Sequence, residues 1–216
     1  MSTRVDGRDT RWTQHRARRR RELVESTLRA IRGLGAGVGM DDIAAQAGTS
    51  KTVLYRHFGG RTGLFLAIVE AVDARILADL DAATAGADPE DPVGLVAAMV
   101  EAYLQLVERD PEIYRFVVTR PLVEGPVEDD PVAGLTGRIG EHLADELAAH
   151  RARHGLDPAV ADTWGHGLVG FVRAAADHWL ATDPRPPRAA LVRDITAVFA
   201  PALTPQAPAP DPKDMP

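Results

Sequence analysis

Apolar residues recur at three- and four-residue spacing along most of the chain, and this period predicts one helix after another. From Arg16 to Leu34, the residues Leu23, Thr27, Ala30, Ile31 and Leu34 share a face, while Arg20, Arg21, Glu25, Arg29 and Arg32 take other positions. Gly35, Gly37 and Gly39 then stop the helix, because glycine accepts the left-handed backbone of a helix end. A second helix, Met40 to Ala47, opens with Asp41 and Asp42 at the positive end of its dipole and stops at Gly48. Ser50 caps a third, Lys51 to Phe58, which ends at Gly59 and Gly60. A long fourth helix starts near Thr62 and runs to about Ala83, with Phe65, Val69, Val72, Ile76 and Leu80 along one stripe.

The same period continues beyond a linker at Thr84 to Pro92. Val93 to Glu108 carries two adjacent apolar stripes, as a deeply buried helix requires. Asp110 to Thr119 opens on Asp-Pro-Glu, a favourable helix start, and Pro121 to Pro131 is a loop rich in proline and acids. Longer helices are expected over Pro131 to Gly155 and Pro158 to Thr182, and a last one over about Pro187 to Ala200. Residues 1–15 lack apolar periodicity and read as a flexible arm, and residues 201–216, with six prolines, read as a disordered tail. No sustained two-residue alternation occurs, so the expected fold is all-α.

Composition narrows the function. The chain has 216 residues, 45% of them hydrophobic, enough for one large or two small domains with a buried core. There is no cysteine, which excludes disulfides, thiolate metal sites and a cysteine nucleophile. No long apolar run and no secretory leader is visible, so a soluble, cytoplasmic protein with no membrane partner is expected. The net charge of −6 conceals a segregation: residues 1–65 hold twelve Arg and one Lys against six acids, net +7, which leaves twelve basic and twenty-five acidic residues beyond them, net −13. A basic segment on an acidic body fits a polyanion-binding module, or else a solvated basic tail.

Three short helices over residues 16–58, with Ala47-Gly48-Thr49-Ser50 joining the second to the third, have the form of a helix-turn-helix. Ala44 and Ala47 permit close crossing, and Ile43, Val53, Leu54 and Phe58 can supply a small core. Lys51, Thr52, Tyr55, Arg56 and His57 then lie on or near the third helix, able to reach base edges or phosphates, with Arg61 just beyond.

Twelve positions, Ile43-Ala44, Ala47-Gly48, Ser50-Lys51, Leu54-Tyr55-Arg56-His57-Phe58 and Leu64, resemble the TetR family in type and spacing. The resemblance spans roughly residues 20–65 and implies an all-helical homodimer, with an N-terminal reader of double-stranded operator DNA and a C-terminal domain that binds a small effector. It puts Lys51, Thr52 and Tyr55 at the major-groove face and His57 and Arg61 on phosphate. Arg61 stands where the family usually has Lys, and Gly39 where it often has a capping Thr. Ser50 can replace part of that lost phosphate contact through its hydroxyl and the helix N-terminus. Tyr55 can instead pack against the fourth helix, and Arg16 and Arg18 to Arg21 can follow a groove as an arm or form a solvated phosphate patch. Arg18 and Arg19 are taken as DNA-binding residues.

Trp164, Gly167, Gly170, Ala174 and Trp179 share a helix whose small residues admit a close neighbour, either within the chain or across a dimer. The resemblance places the dimer contact in helices 158–182 and 187–200. It places the effector between the fifth helix and its neighbours, making Met99, Tyr103, Phe116, Trp164, His166 and Phe171 candidate lining residues for a mostly apolar ligand such as a fatty acyl thioester. Such residues at helical spacing more often fill a plain core than touch a ligand. His142, Glu146, His150 and His154 recur every four residues, a metal-compatible spacing, but interrupting arginines favour a solvated face. No cofactor, metal or catalytic constellation stands out, so an enzyme is not expected. The resulting layout is arm 1–15, DNA-binding domain 16–61, effector and dimerisation domain 62–200 and tail 201–216. It suits a regulator, most simply a repressor, while a protein-binding helical adaptor with non-specific DNA affinity is the alternative.

Overall fold

The computed structural model describes residues 7–86, 88, 90–119 and 131–204. Among these, the regular elements are helices: α1 Gly7–Leu34, α2 Met40–Gln46, α3 Lys51–Phe58, α4 Arg61–Thr84, α5 Pro92–Arg109, α6 Pro111–Thr119, α7 Pro131–Arg153, α8 Ala161–Ala181 and α9 Arg188–Leu203, with a single 3₁₀ turn at Pro158–Val160. The all-α expectation holds. The loop expected over residues 121–130 and the tail from residue 205 lie outside the described residues.

Two helix ends differ from the sequence reading. The first helix begins at Gly7 rather than near Arg16. His15 to Arg18 are exposed, so no apolar face marks this stretch; a helix nucleated by the packed turns around Leu23 extends outward at little cost. The last helix continues through Pro201 to Leu203. Proline forfeits one helical bond there, but Leu203 is buried, and its packing keeps the extra turn.

The chain divides into two compact units. The first takes residues up to Leu77 and the described part of Leu106–Arg138. Its core joins Leu23, Thr27 and Ile31 of α1, Ile43 and Ala44 of α2, Leu54 and Phe58 of α3, and Leu64, Phe65 and Ile68 of α4. The buried Thr27 hydroxyl donates to the Leu23 carbonyl at 2.8 Å, so its burial leaves no polar group unmet. Phe116 of α6 packs on Phe65 with ring centroids 5.2 Å apart. Two carboxylates fix α6 to α1 and the turn after it. Asp110 accepts from Arg32 Nε at 2.6 Å and Nη2 at 3.2 Å, and Glu112 accepts from the Ala36 amide at 2.9 Å. The Arg32 guanidinium holds the Asp110 carboxyl below the usual carboxylate range.

The second unit comprises Ala78–Gln105 and the described residues from Ile139 onward. Leu80, Val96, Val100, Leu104, Leu143, Leu147, Leu168, Val172, Trp179 and Ile195 are buried in it. The crossing of α7 and α8 depends on glycine: a Cβ on Gly165 would lie 2.6 Å from the Gly140 carbonyl oxygen. Trp179 is part of this core, its indole N–H donating to the Pro186 carbonyl at 2.7 Å, so it is not available to a dimer face.

Candidate functional site

The reading helix α3 is set by local chemistry at both ends. Before it, Gly48 takes a left-handed conformation (φ 58°), which lets the Thr49 amide return to the Ala44 carbonyl at 2.9 Å and turns the chain sharply. The Ser50 hydroxyl then accepts from the Val53 amide at 3.4 Å as the cap. After it, Gly59 (φ 75°) closes the helix on the Tyr55 carbonyl. Leu54 and Phe58 bury one face. Lys51, Thr52, Tyr55 and Arg56 are left exposed, with His57 half-buried. Gly63 of α4 lies so close to α3 that a Cβ there would be 1.8 Å from the Phe58 carbonyl oxygen. This contact fixes the reading helix against the next element.

At α2 the first position lacks a capping side chain, because Gly39 stands there. The Asp42 carboxylate accepts from the Gly39 amide instead, at 3.3 Å. Its neighbour Asp41 reaches across to α3: Asp41 Oδ2 is 2.8 Å from Lys51 Nζ. That hydrogen bond holds the Lys51 ammonium above its ordinary pKa.

Beside α3 lies a basic concavity lined by His15, Arg16 and Arg19 of α1, by Thr49, and by Val53, Arg56 and His57 of α3. Burial, followed by the charges of Arg56, Arg16, Arg19 and Arg20, holds the His57 imidazole below its ordinary pKa. Clustered like charges cost free energy unless an anion joins them, so this hollow suits a phosphate.

The sequence-derived residues divide on inspection. Ser50, Lys51, Thr52 and Tyr55 cluster on α3, and Arg61 is exposed at the start of α4. Tyr55 is 44% exposed, with its ring 3.7 Å from where a Cβ on Gly60 would stand, so it both packs and faces outward. Arg18 and Arg19 both bind Glu22, at 3.0 and 3.1 Å, and their hydrogen bonds hold the Glu22 carboxyl down. Arg20 donates to the His57 carbonyl at 3.0 Å and lies over the Phe58 ring at 4.6 Å, so it locks α1 to the end of α3. Sequence reasoning placed Arg56 on the third helix within reach of DNA and Arg16 in a basic arm, but did not bring the two together; they line one hollow through the packing of α1 on α3.

In the second unit, a small apolar cavity of about 40 Å³, open at its mouth, is lined by Leu80 of α4, Met99, Val100 and Tyr103 of α5, Ile139 and Leu143 of α7, and Leu168, Val169 and Val172 of α8. Met99 and Tyr103 were anticipated; the α7 residues were not. Trp164 lines a separate groove with Leu147, Phe199 and Leu203. Three candidates line neither. Phe116 is core of the first unit, His166 is exposed with its Nδ1 2.9 Å from the Asp162 carbonyl oxygen, and Phe171 is 42% exposed, edge-on to Phe199. Helical spacing records that a side chain shares a face, not which neighbour that face meets. The histidine row on α7 is solvated only in part: Glu146 and His154 are exposed, with His154 Nε2 2.8 Å from Glu90, while His142 is half-buried and His150 buried. No three potential metal ligands converge among the described residues.

Residues 27–68 match the family described as bacterial regulatory proteins, tetR family, and residues 80–214 match the tetracyclin repressor-like C-terminal domain. An HTH-type transcriptional regulator of Mycobacterium tuberculosis is 34% identical over 86% of this chain and 77% of its own length. The HTH-type transcriptional activator FasR of Mycolicibacterium smegmatis is 31% identical over 74% of this chain and 71% of its own. Among solved structures, FadR of Thermus thermophilus in complex with lauroyl-CoA aligns with a TM-score of 0.68 over 89% of this chain and 99% of that one, at 17% identity, a likeness of fold. The chain is a DNA-binding transcriptional regulator. It belongs to the TetR family. No described helix is long and apolar enough to cross a membrane.

Proposed function

We propose that the chain acts as a homodimer whose two α3 helices enter successive major grooves of a near-palindromic operator, about 34 Å apart, and that a small apolar effector of acyl type releases it. The observation that carries the DNA reading is the exposed polar face of α3 beside a hollow rich in arginine. Ser50, Lys51, Thr52 and Tyr55 face the groove, while Arg16, Arg19, Arg56, His57 and Arg61 meet phosphate. Arg18 and Arg19 contribute less than Arg16 and Arg56, because Glu22 already holds both. Residues 16–61 form the reader, and 62–200 serve the effector and the dimer.

Dimerisation through α8 and α9 is supported by an exposed, largely apolar face: Gly167, Gly170, Phe171 and Ala174 on α8 and Val198 on α9. A Cβ on Gly167 or Gly170 would meet nothing within 4 Å, which leaves room for a second helix.

The effector reading rests on the cavity wall, whose named residues include no charged side chain. An ionised carboxylate buried there would be unpaired, so the ligand is an acyl chain whose charged head stays outside the wall. The bound lauroyl-CoA of the Thermus thermophilus protein is consistent with this chemistry. Leu80 in the cavity wall and Leu64 in the first unit belong to one unbroken helix, α4, which gives a ligand a continuous element to displace. To turn a mostly bound population into a mostly free one, the effector must prefer the released state by about 5.5 kcal/mol.

The test is fluorescence anisotropy of a duplex enriched by this protein, titrated with lauroyl-CoA, dodecanoate or coenzyme A. Release by the thioester, and not by coenzyme A alone, is expected; persistence of the complex under saturating thioester removes the acyl reading. Occupancy over a promoter represses, and we assign that sign. The similar chain named an activator supports the opposite one, and transcription in vitro from a promoter bearing the enriched duplex separates the two.

A further inference from the structure

We propose that Asp41 and Lys51 form a single reading head for one G·C pair in each half-site, with Lys51 donating to guanine O6 and N7 and Asp41 accepting from the cytosine amino group. This rests on the DNA-binding reading above and adds to it a residue that neither the charge pattern nor the resemblance had singled out.

Asp41 is an odd feature of this surface. The residues around it that suit phosphate are cationic, and a carboxylate there is repelled by any duplex that approaches. It is also not needed as the local cap, because Asp42 accepts the Gly39 amide. Asp41 instead spans the helix-turn-helix to Lys51 at 2.8 Å, with side chains 81% and 44% exposed respectively. Neither group is used up by this contact. The ammonium has three donors and spends one, and the carboxylate keeps most of its lone pairs.

The pair therefore presents donors and an acceptor side by side. In the major groove a G·C pair presents two guanine acceptors followed by the cytosine amino donor, the complementary order. An A·T pair presents an acceptor, a donor and an acceptor, then the thymine methyl; the adenine amino group would face the ammonium, and an acceptor would face the carboxylate. The scale agrees as well. Guanine O6 and cytosine N4 are held at ordinary hydrogen-bond separation, about 2.9 Å, so Lys51 Nζ and Asp41 Oδ2 can sit over them with their own bond kept. On a wrong base pair the Asp41 carboxylate faces an acceptor, and on phosphate alone it faces the polyanion with no amino donor to meet it. Specificity thus arises from repulsion as well as attraction.

The test starts from the duplex that the wild-type protein enriches from a randomised pool, with binding measured on that duplex, on variants changed one base pair at a time, and on mixed-sequence DNA. For the wild type, exchanging this G·C pair for A·T in one half-site should weaken binding roughly 5- to 100-fold. Asp41→Ala should reduce that discrimination to a few-fold, leave the other positions unchanged, and strengthen binding to mixed-sequence DNA. Lys51→Ala should lose the same pair, and the double variant should discriminate no worse than either single one, since the two groups act together. Asp41→Asn, which keeps the shape, checks that any loss is not one of folding, through an unchanged thermal midpoint. Full G·C discrimination retained in Asp41→Ala, or an equal loss on every duplex, overturns the proposal. A wild-type protein that enriches nothing overturns the operator reading itself, and this proposal with it.

Discussion

Arg56 and Arg19 line the same concavity but begin from different states. Glu22 holds Arg19 at 3.1 Å, whereas no ion pair to Arg56 occurs among the described residues. Each phosphate neutralised by an unpaired cation releases counterions and contributes about −0.9 to the slope of log K against log salt. Arg56→Ala removes one such contact per protomer, so a dimer should lose about 1.8 from the magnitude of its slope. Between 50 and 200 mM salt the affinity gap between wild type and variant should then narrow about twelvefold. Arg19→Ala should change the slope less, because Arg19 must give up Glu22 before it serves DNA. Anisotropy titrations at several salt concentrations, on the enriched duplex and on mixed-sequence DNA, measure both effects. The proportional loss should be alike on the two, since phosphate carries no sequence information. An unchanged slope for Arg56→Ala, or a larger change for Arg19→Ala, refutes the assignment of this hollow to phosphate.

Three further outcomes are expected. His57 is held low by burial and by Arg56, Arg16, Arg19 and Arg20, and a phosphate raises it; DNA affinity should therefore climb as pH falls through the bound-state value, level off below the free value, and lose this slope in His57→Gln, as measured over about pH 5 to 8. In Gly63→Ala the added Cβ meets the Phe58 carbonyl at 1.8 Å; overpacking of about 1–3 kcal/mol should exceed the helix-propensity gain of about 1 kcal/mol, lowering both the thermal midpoint and DNA affinity. Val169→Phe fills the apolar cavity and should abolish release by lauroyl-CoA while leaving DNA affinity within about twofold, since substitutions far from a site act nearly independently; unimpaired release would place the ligand elsewhere.

The reading helix was legible because its determinants are local. Gly48, Ser50 and Gly59 set its ends within a few residues, and the three-to-four period of Leu54 and Phe58 sets its buried face. The arginine hollow was half legible. Charge counting marked the N-terminal segment as basic, but Arg16 and Arg56 become neighbours through α1–α3 packing, which no spacing rule encodes. Likewise Arg20 reads as one more exposed arginine until its bond to the His57 carbonyl reveals a brace. The cavity was legible only along α5. Met99 and Tyr103 fall on its predicted stripes, while Ile139 and Leu143 enter through the α7–α8 crossing that Gly165 permits. Phe116 does not line this cavity for the complementary reason: it packs on Phe65 in the first compact unit.

Whether α3 reads sequence is decided most directly by selecting bound duplexes from a randomised pool with the purified protein, at rising salt. A two-fold-symmetric site with half-sites about one helical turn apart, surviving at salt that removes mixed-sequence DNA, is the expected result. Recovery of sequence-blind binding alone, vanishing as salt rises, contradicts a sequence-reading α3 and leaves the basic surface as a non-specific polyanion patch on a protein-binding helical body.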